Sequence, residues 1–534
     1  MGNAASAISF QNEFKKLLGP NEYAEGDVQW RLFAYVTGSN YHQIFGILTV
    51  SKLRLLRDRQ PQHFDILVSF AVKSLAESLR SAAIGTEMDE PIKWYLRGLQ
   101  RIIPILYEKS ATVESTYQYY WGTDGVLVSA IDCLHSLALK PGFCSPVHSN
   151  GAWTMGIGVE SAVAPTNQCL ENRVELLRTL LVILSEPMYL GTPNGLDRLT
   201  NKAPSDIAGL FCALLNTGLT ATTSVTWNFR NSYLLERLCL ATLMILIVHS
   251  PESGSNNFRK LLSKVYLAKD LELIGNVLCD ATFNVAYASL LWELVQSNVR
   301  FDYSPKLVAS VVGFIARMMF DREYDTVVRI LIITLYQKSH DPEWCKANAR
   351  VILRLYAPFN EVNPHFPYLV TLFFNISVYI TTVEDVEALA GFTHGIAISS
   401  NKEQKKILAA GLENMLKPSN RSLFMEIREY KLDERLSARL SQFCEDPSST
   451  STACSTELPK FKPFTFKWDA VKMKWYQSVM WSDTFKLIED KGGNSPNPWA
   501  QTDVKLFKVE NPQSGLQVMA KLGRIEEYLK KWLK

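Results

Sequence analysis

Paired cysteines, long apolar runs and charge of one sign are all scarce in this 534-residue chain. Its nine cysteines lie between Cys133 and Cys454; the number is odd and no two are separated by two residues. That pattern argues against a disulfide framework or a zinc ribbon and reads as packed thiols in a reducing compartment. The formal net charge is +3, too small to point to nucleic acid. The most apolar stretches, 240–248 and 366–381, fall short of the ~20 apolar residues a membrane span needs. Pro367 and Asn375 also interrupt the second. No basic segment followed by an apolar one opens the chain, so no secretory signal is expected.

Catalytic motifs are missing as well. There is no Walker loop, no H-E-x-x-H and no G-x-S-x-G. Gly156-Ile157-Gly158 lacks the third glycine of a dinucleotide fingerprint and reads as a loop turn. Cys133 and His135 share an apolar helix without further ligands, so a packed thiol and a satisfied imidazole are expected rather than a metal site. Tyr117, Tyr119, Tyr120 and Trp121 cluster without interleaved bases, which argues against a base-stacking platform. No cofactor, metal site, catalytic residue, small-molecule substrate or nucleic-acid partner is expected.

What the chain does have is helical periodicity. Phe10, Phe14, Leu17 and Leu18 form one face before Gly19-Pro20. Phe64, Leu67, Val68, Ala71, Val72, Leu75 and Leu79 form a wide stripe after Pro61. Stretches 94–107 (with Pro104 as a kink), 125–138 and 172–184 follow, the last after a turn-rich loop at 140–172. Further helices are expected near 206–216, 232–248, 257–266, 271–278, 286–297, 305–320, 324–337 and 343–356. Four more are expected near 368–380, 383–391, 403–416 and 432–443. Alternating patterns are rare; 464–470 is the one short strand candidate.

Many amphipathic helices joined by short polar turns predict an all-α, α-solenoid-like stack of the HEAT or armadillo kind. No ~40-residue self-similarity is visible, so the stack is inferred from helix number and length, with an irregular all-α globule as the alternative. The expected organisation is a flexible N-terminus at 1–7, a helical array at 8–445, a Ser/Thr/Pro linker at 446–463 and a Trp-rich tail at 464–534. From Glu457 onward the tail holds 14 Lys or Arg against 9 Asp or Glu. Its end, Val518, Leu522, Ile525, Leu529 and Trp532, repeats as an amphipathic helix: a docking helix on the body, or a partner or membrane helix. Trp475, Trp481 and Trp499 are expected to pack on the body, so truncation at Lys460 should destabilise it.

The chain begins Met1-Gly2-Asn3-Ala4-Ala5-Ser6, the M-G-x-x-x-[ST] pattern of N-myristoylation at Gly2. One myristoyl chain binds membranes only marginally, with K of about 10⁴ M⁻¹, so residence needs a second signal. The nearest cysteine is Cys133, too distant in sequence for palmitoylation beside Gly2. Lys15 and Lys16, the run Lys52, Arg54, Arg57 and Arg59, the basic tail or a membrane-bound partner are the candidates, each cluster having a solvated helix face as its alternative.

Three regions together resemble a known family. The first is the Met-Gly start with Leu53-Arg-Leu-Leu-Arg57 and the helix after Pro61. The second is Leu99-Gln-Arg-Ile-Ile-Pro104-Ile-Leu-Tyr107-Glu108, Trp153-Thr-Met-Gly156, Asn172-Arg173-Val-Glu175, Ser185-Glu186-Pro-Met188-Tyr189 and Leu210-Phe211 through Asn216. The third is Lys474-Trp475-Tyr476, Met480-Trp481 and Pro498-Trp499-Ala-Gln-Thr-Asp503-Val-Lys505-Leu-Phe507. These resemble the Hid family (high-temperature-induced dauer-formation proteins), with dymeclin a more distant look-alike. The resemblance implies a non-enzymatic, myristoylated, peripheral protein of the Golgi and trans-Golgi network, acting in secretory-vesicle formation and cargo sorting. Its partners would be the cytosolic leaflet of such membranes and trafficking proteins. The alternative is a soluble α-solenoid subunit of a cytosolic complex without a lipid. A third reading, an enzyme, would need converging titratable groups in the 140–172 loop. No counterpart of the family is legible between about 337 and 460, nor beyond Phe507.

Overall fold

The computed structural model describes residues 2–30, 46–81, 91–108, 114–149, 164–190, 192–220, 229–251, 254–319, 321–353, 470–491 and 497–504, with a few single positions such as Trp153, Leu372 and Ile376. The expected helices at 368–443, the linker, the strand at 464–469 and the helix at 518–532 lie outside the described residues.

The helices, in chain order, are α1 (Gly2–Leu17), α2 (Val50–Arg59), α3 (Pro61–Ser81), α4 (Pro91–Tyr107), α5 (Glu114–Trp121), α6 (Val126–Leu139), α7 (Asn167–Leu184), α8 (Asn194–Thr200) and α9 (Pro204–Thr220). There follow α10 (Phe229–Val248), α11 (Asn257–Ser263), α12 (Ala268–Asp280), α13 (Val285–Ser297), α14 (Pro305–Met318), α15 (Asp325–Lys338), α16 (Pro342–Leu353) and α17 (Ala470–Lys491). No strand occurs among the described residues. The all-α, solenoid-like reading therefore holds.

Two compact units form. The first joins Met1–Lys264 with Ala470–Lys508, and the second joins Val265–Asp469 with Val509–Lys534. Helix α1 starts at Gly2, where a flexible lead was expected. Three of its first six residues are Ala, the best helix former, and Phe10, Phe14 and Leu17 are buried further along.

In the first unit α3 packs on α2, α4 and α6, and α4 on α7. Helix α10 lies against α7, α9 and α17. Its residues from Leu238 to Val248 are buried on every face, which explains why its sequence is apolar all round. In the second unit the contacts α12–α14–α16 and α13–α15 join alternate helices, the signature of two stacked layers. The starts are capped as their sequences allow: Asn256, Asn284 and Ser304 accept from the backbone N–H three residues on. Helix α7 begins at Asn167 rather than 172, because Thr166 accepts the Cys169 N–H and caps it earlier. No described helix is long and apolar enough to cross a membrane.

Candidate functional site

The described chemistry of the first unit gathers where the tail meets the body. The 3₁₀ turn Glu186–Met188 follows α7 directly, and Trp499 of the tail is buried beside it. The Trp499 indole Nε1 donates to Ser185 Oγ (3.1 Å), and its ring stacks on Phe485 of α17 at 5.9 Å between centroids. Thr502 Oγ1 donates to the Trp499 carbonyl (2.6 Å) and shares a 2.8 Å hydrogen bond with the Tyr189 hydroxyl. Tyr107 donates to the Ile183 carbonyl (2.7 Å) and its ring adjoins Tyr189. Two stretches that stood out separately in the sequence, 185–189 and 499–503, are therefore one constellation.

Beside it lies an open pocket of about 460 Å³ lined by Arg54, Arg57, Glu108, Thr502 and Asp503. Arg54 clasps Glu108 with Nε (2.8 Å) and Nη2 (2.5 Å), and Arg57 Nη1 adds a bond of 3.1 Å. Arg57 also donates to the Ile105 carbonyl at the end of α4 (2.8 Å), where orphan carbonyls favour a cation. The Asp503 backbone N–H donates to Glu108 (2.9 Å), and the Gln501 carbonyl accepts from Arg54 (2.9 Å). Gln501 has φ of 65°, a left-handed conformation that costs a non-glycine residue roughly 1 kcal/mol or more. The Arg54 bond and the Thr502 clasp hold it there. Burial alone would raise the Glu108 pKa; the bonds from Arg54, the Asp503 amide and Arg57 outweigh it and hold the carboxyl below its usual range.

Arg54 and Arg57, read from the sequence as membrane-contact candidates, are thus committed to Glu108, and only 14% of the Arg57 side chain is exposed. Their spacing of three placed both on one helix face, but could not reveal a carboxylate fifty residues away. Lys15, Lys16 and Arg59 are exposed and Lys52 is half-buried. Lys16 pairs with Glu13 at 2.7 Å.

Glu186 is buried and accepts from the backbone N–H (3.1 Å) and side-chain amide (3.0 Å) of Asn194, fastening the start of α8. Burial pushes its pKa up to about 7, against the pull of these bonds. Between the unfolded value near 4.5 and about 7 the folded unit holds a proton that the unfolded chain has released, so this residue makes stability fall as pH rises through that window. Glu186→Gln is expected to remove that slope. Melting temperatures of wild type and variant at pH 5 and pH 8 check it; parallel profiles would contradict it.

The remaining family-motif residues hold the 140–158 loop and the α4–α7 seam. Asn172 Nδ2 donates to the Phe143 carbonyl (3.0 Å), and Arg173 Nε to the Cys144 carbonyl (2.7 Å). The Arg173 guanidinium also lies 4.8 Å over the Trp153 ring, whose Nε1 donates to the Ala138 carbonyl (2.6 Å). Gly158, at φ of 67°, donates its N–H to Asn216 Oδ1 (2.8 Å), so the G-x-G is a loop turn. Buried Glu175 accepts from Arg97 Nε (2.9 Å) and Nη2 (2.7 Å) and from Gln100 Nε2 (3.1 Å). Within 140–172, Lys140 donates to the Leu79 carbonyl and Ser149 to the Pro146 carbonyl, while Thr166 donates to Cys169 Sγ and Gln168 to the Asn172 side chain. His135 meets the Asp206 carbonyl at 3.1 Å, and no group of three or more potential metal ligands occurs among the described residues. Trp481 is buried; Trp475 is on α17, and Lys505 and Phe507 lie outside the described residues.

Glu108, Ser185, Gln501 and Thr502 stand inside the quoted motifs, but the sequence assigned none of them a role. Glu108 closes the 99–108 motif as a lone carboxylate after an apolar helix, which was the available signal. What the constellation does chemically is fasten: it seats the tail through an indole, a carboxylate clasp and backbone bonds.

Known proteins are similar to this chain over much of its length. A family model described as Dymeclin (Dyggve-Melchior-Clausen syndrome protein) matches residues 1–306, more than half of the chain, and one described as Hid1 (high-temperature-induced dauer-formation protein) matches 411–509. The second match reaches back to 411, well before 460, correcting the expectation that the family leaves no trace there; it stops ahead of the 518–532 repeat. Among curated relatives, the Ubp5-interacting protein ftp105 of Schizosaccharomyces pombe is 24% identical over 40% of this chain and 30% of its own length. Human Protein HID1 is 23% identical over 36% of this chain and 28% of its own. A Hid-1 family protein of S. pombe is 21% identical over 57% and 43%. The chain thus spans less than half the length of the curated relatives it matches. Residues 1–264 of the Dymeclin match and 470–508 of the Hid1 match share one compact unit. Taken with the Hid-1 relatives, these matches place the chain in the Hid-1 family, with dymeclin as its more distant kin.

Proposed function

We propose that this chain is a non-enzymatic peripheral scaffold or adaptor of Golgi and trans-Golgi membranes, supporting secretory-vesicle formation and cargo sorting. Family membership carries the reading. The name of the fission-yeast relative, an interacting protein of Ubp5, supports a role in holding partners. The helical layers supply extended surface for such contacts without a cofactor.

The anchor is a myristoyl group on Gly2 with a second signal. Helix α1 supports this arrangement. Phe10, Phe14 and Leu17 face inward, while Ile8, Asn12, Lys15 and Lys16 are exposed at steps of three and four. An apolar side chain and two cations thus share the outward face of the helix that begins at Gly2. Arg54 and Arg57 contribute little, being paired with Glu108 and, for Arg57, also with Asp58.

Gly2→Ala in the full chain, followed by membrane fractionation, tests the anchor. The membrane-bound fraction is expected to fall at least about tenfold, since a single signal gives only marginal binding. Equal retention of variant and wild type would sink the anchor and favour a soluble subunit of a cytosolic complex.

A further inference from the structure

Among the described residues, three exposed large apolar side chains lie on two loops of the second unit that a hydrogen bond joins. Tyr266 is 63% exposed, Leu267 43% and Val299 98%. Tyr266 and Leu267 precede α12, and Val299 follows α13. Scattered apolar side chains on a surface need no explanation, but a cluster does.

The cluster is built rather than frayed. Asn298, buried to 3% exposure, donates its Nδ2 to the Val265 carbonyl (2.9 Å) and so ties one loop to the other. Its Oδ1 accepts the Arg300 N–H (3.1 Å), and its own N–H closes α13 on the Leu294 carbonyl (2.9 Å). The Arg300 guanidinium lies over the Tyr266 ring at 5.9 Å. Lys269 is exposed one residue into α12 beyond Ala268, and Asp302 is the exposed carboxylate that follows Arg300.

We propose that this pair of tips is a membrane-contact patch for anionic lipid, a further part of the anchor; it rests on the peripheral-membrane reading above. The geometry favours a bilayer over a protein partner. Val299 at 98% exposure protrudes, so no groove surrounds it, whereas protein hot spots sit in well-packed central pockets. A tyrosine paired with a guanidinium suits the headgroup level, where the ring is half wet and the cation meets phosphate. Leucine and valine tips enter the acyl boundary; Lys269 and Arg300 are the exposed cations of these segments, and Glu272 and Asp302 their exposed carboxylates, so it is the position of Arg300 over the Tyr266 ring that brings a cation to the apolar tips.

The test uses the full chain, with and without myristate, floated with vesicles of phosphatidylcholine alone or mixed with phosphatidylserine. The triple variant Tyr266→Ser, Leu267→Asp, Val299→Ser should bind the mixed vesicles about tenfold less than wild type. Lys269→Ala and Arg300→Ala should each lower binding about fivefold on mixed vesicles, less so at high salt. Folding is protected by the choice of residues: Leu267 is the N-cap of α12 and forms no side-chain cap bond, so aspartate there should hold or raise the melting temperature.

Equal flotation of the triple variant and wild type would overturn the proposal. So would a variant that floats normally but leaves membranes in cells, since that outcome assigns the patch to a protein. The comparison of chains without myristate isolates the patch from Gly2. A wild type that outbinds the triple variant there supports the patch even if Gly2→Ala leaves membrane residence unchanged, and loss of membranes in Gly2→Ala alone, with the triple variant intact, retains the acyl anchor and removes the patch.

Discussion

Trp499→Ala is expected to destabilise the first unit by about 3–5 kcal/mol, the range for deleting a buried indole. The side chain is 1% exposed, so nearly all of its apolar surface is removed from water. Its loss also strands Ser185 Oγ, which keeps its bond to the Val182 carbonyl but loses the indole. The consequences extend along the motif, because Trp499 is where Thr502 closes the turn and Gln501 is held left-handed. Once the indole no longer pins that turn, the Asp503 amide is poorly placed for Glu108 and Arg54 loses the Gln501 carbonyl. Helix α17 then keeps its contact with α10 and the Arg237–Asp483 pair (3.2 Å), with Tyr476, Met480, Trp481, Leu487 and Ile488 as its buried apolar side chains. Trp499→Phe separates the terms: it keeps the stacking on Phe485 and should cost about 1–2 kcal/mol, chiefly the hydrogen bond. Denaturant midpoints of the three proteins check this, and an unchanged midpoint for Trp499→Ala would show that the tail is not seated. The same logic predicts instability on truncation at Lys460, which removes α17 and Trp499 together.

Glu175→Ala should be comparably severe, about 3–5 kcal/mol, because it leaves buried cations without their carboxylate. Arg178 is 1% exposed and Arg97 bonds directly to Glu175. Burial alone would raise the Glu175 pKa, but the charges of Arg97 and Arg178 outweigh it and hold it down. Burial likewise lowers the Arg178 pKa, partly offset by Glu175. A depressed carboxylate contributes stability above its unfolded pKa and loses it as pH falls through the folded value. Wild type should therefore weaken in acid below the usual carboxylate range, and Glu175→Ala should weaken less steeply there. Glu171→Ala is the control. Its carboxylate is 55% exposed and 3.9 Å from Lys93, so its loss should shift stability by no more than a few tenths of a kcal/mol. Denaturant titrations at neutral and acid pH measure both; equal effects at 171 and 175 would refute the buried-pair account.

The helices were legible because burial imposes a period. Phe64 to Leu75 on α3 and Phe10 to Leu17 on α1 are buried at the positions their spacing marks. Boundaries slipped where a single cap decides, as at Thr166, and the short α5 and α8 were missed because seven or eight residues carry little periodicity. The motifs around Glu186, Tyr189, Trp499 and Asp503 were also legible as residues, through family resemblance. Their meeting was not, because the contacts span 313 and 314 positions in Tyr189–Thr502 and Trp499–Ser185.

The sequence by itself determined an all-helical member of the Hid-1 family, with Gly2 in an acylation pattern, since helix period and motif residues are local properties. Only the tertiary structure decided which charges are spent. Arg54 and Arg57 look like solvated cations in one dimension, and only folding brings Glu108 to them. A cation's availability depends on the carboxylate that reaches it across space, and sequence spacing within one helix carries no information about that distance.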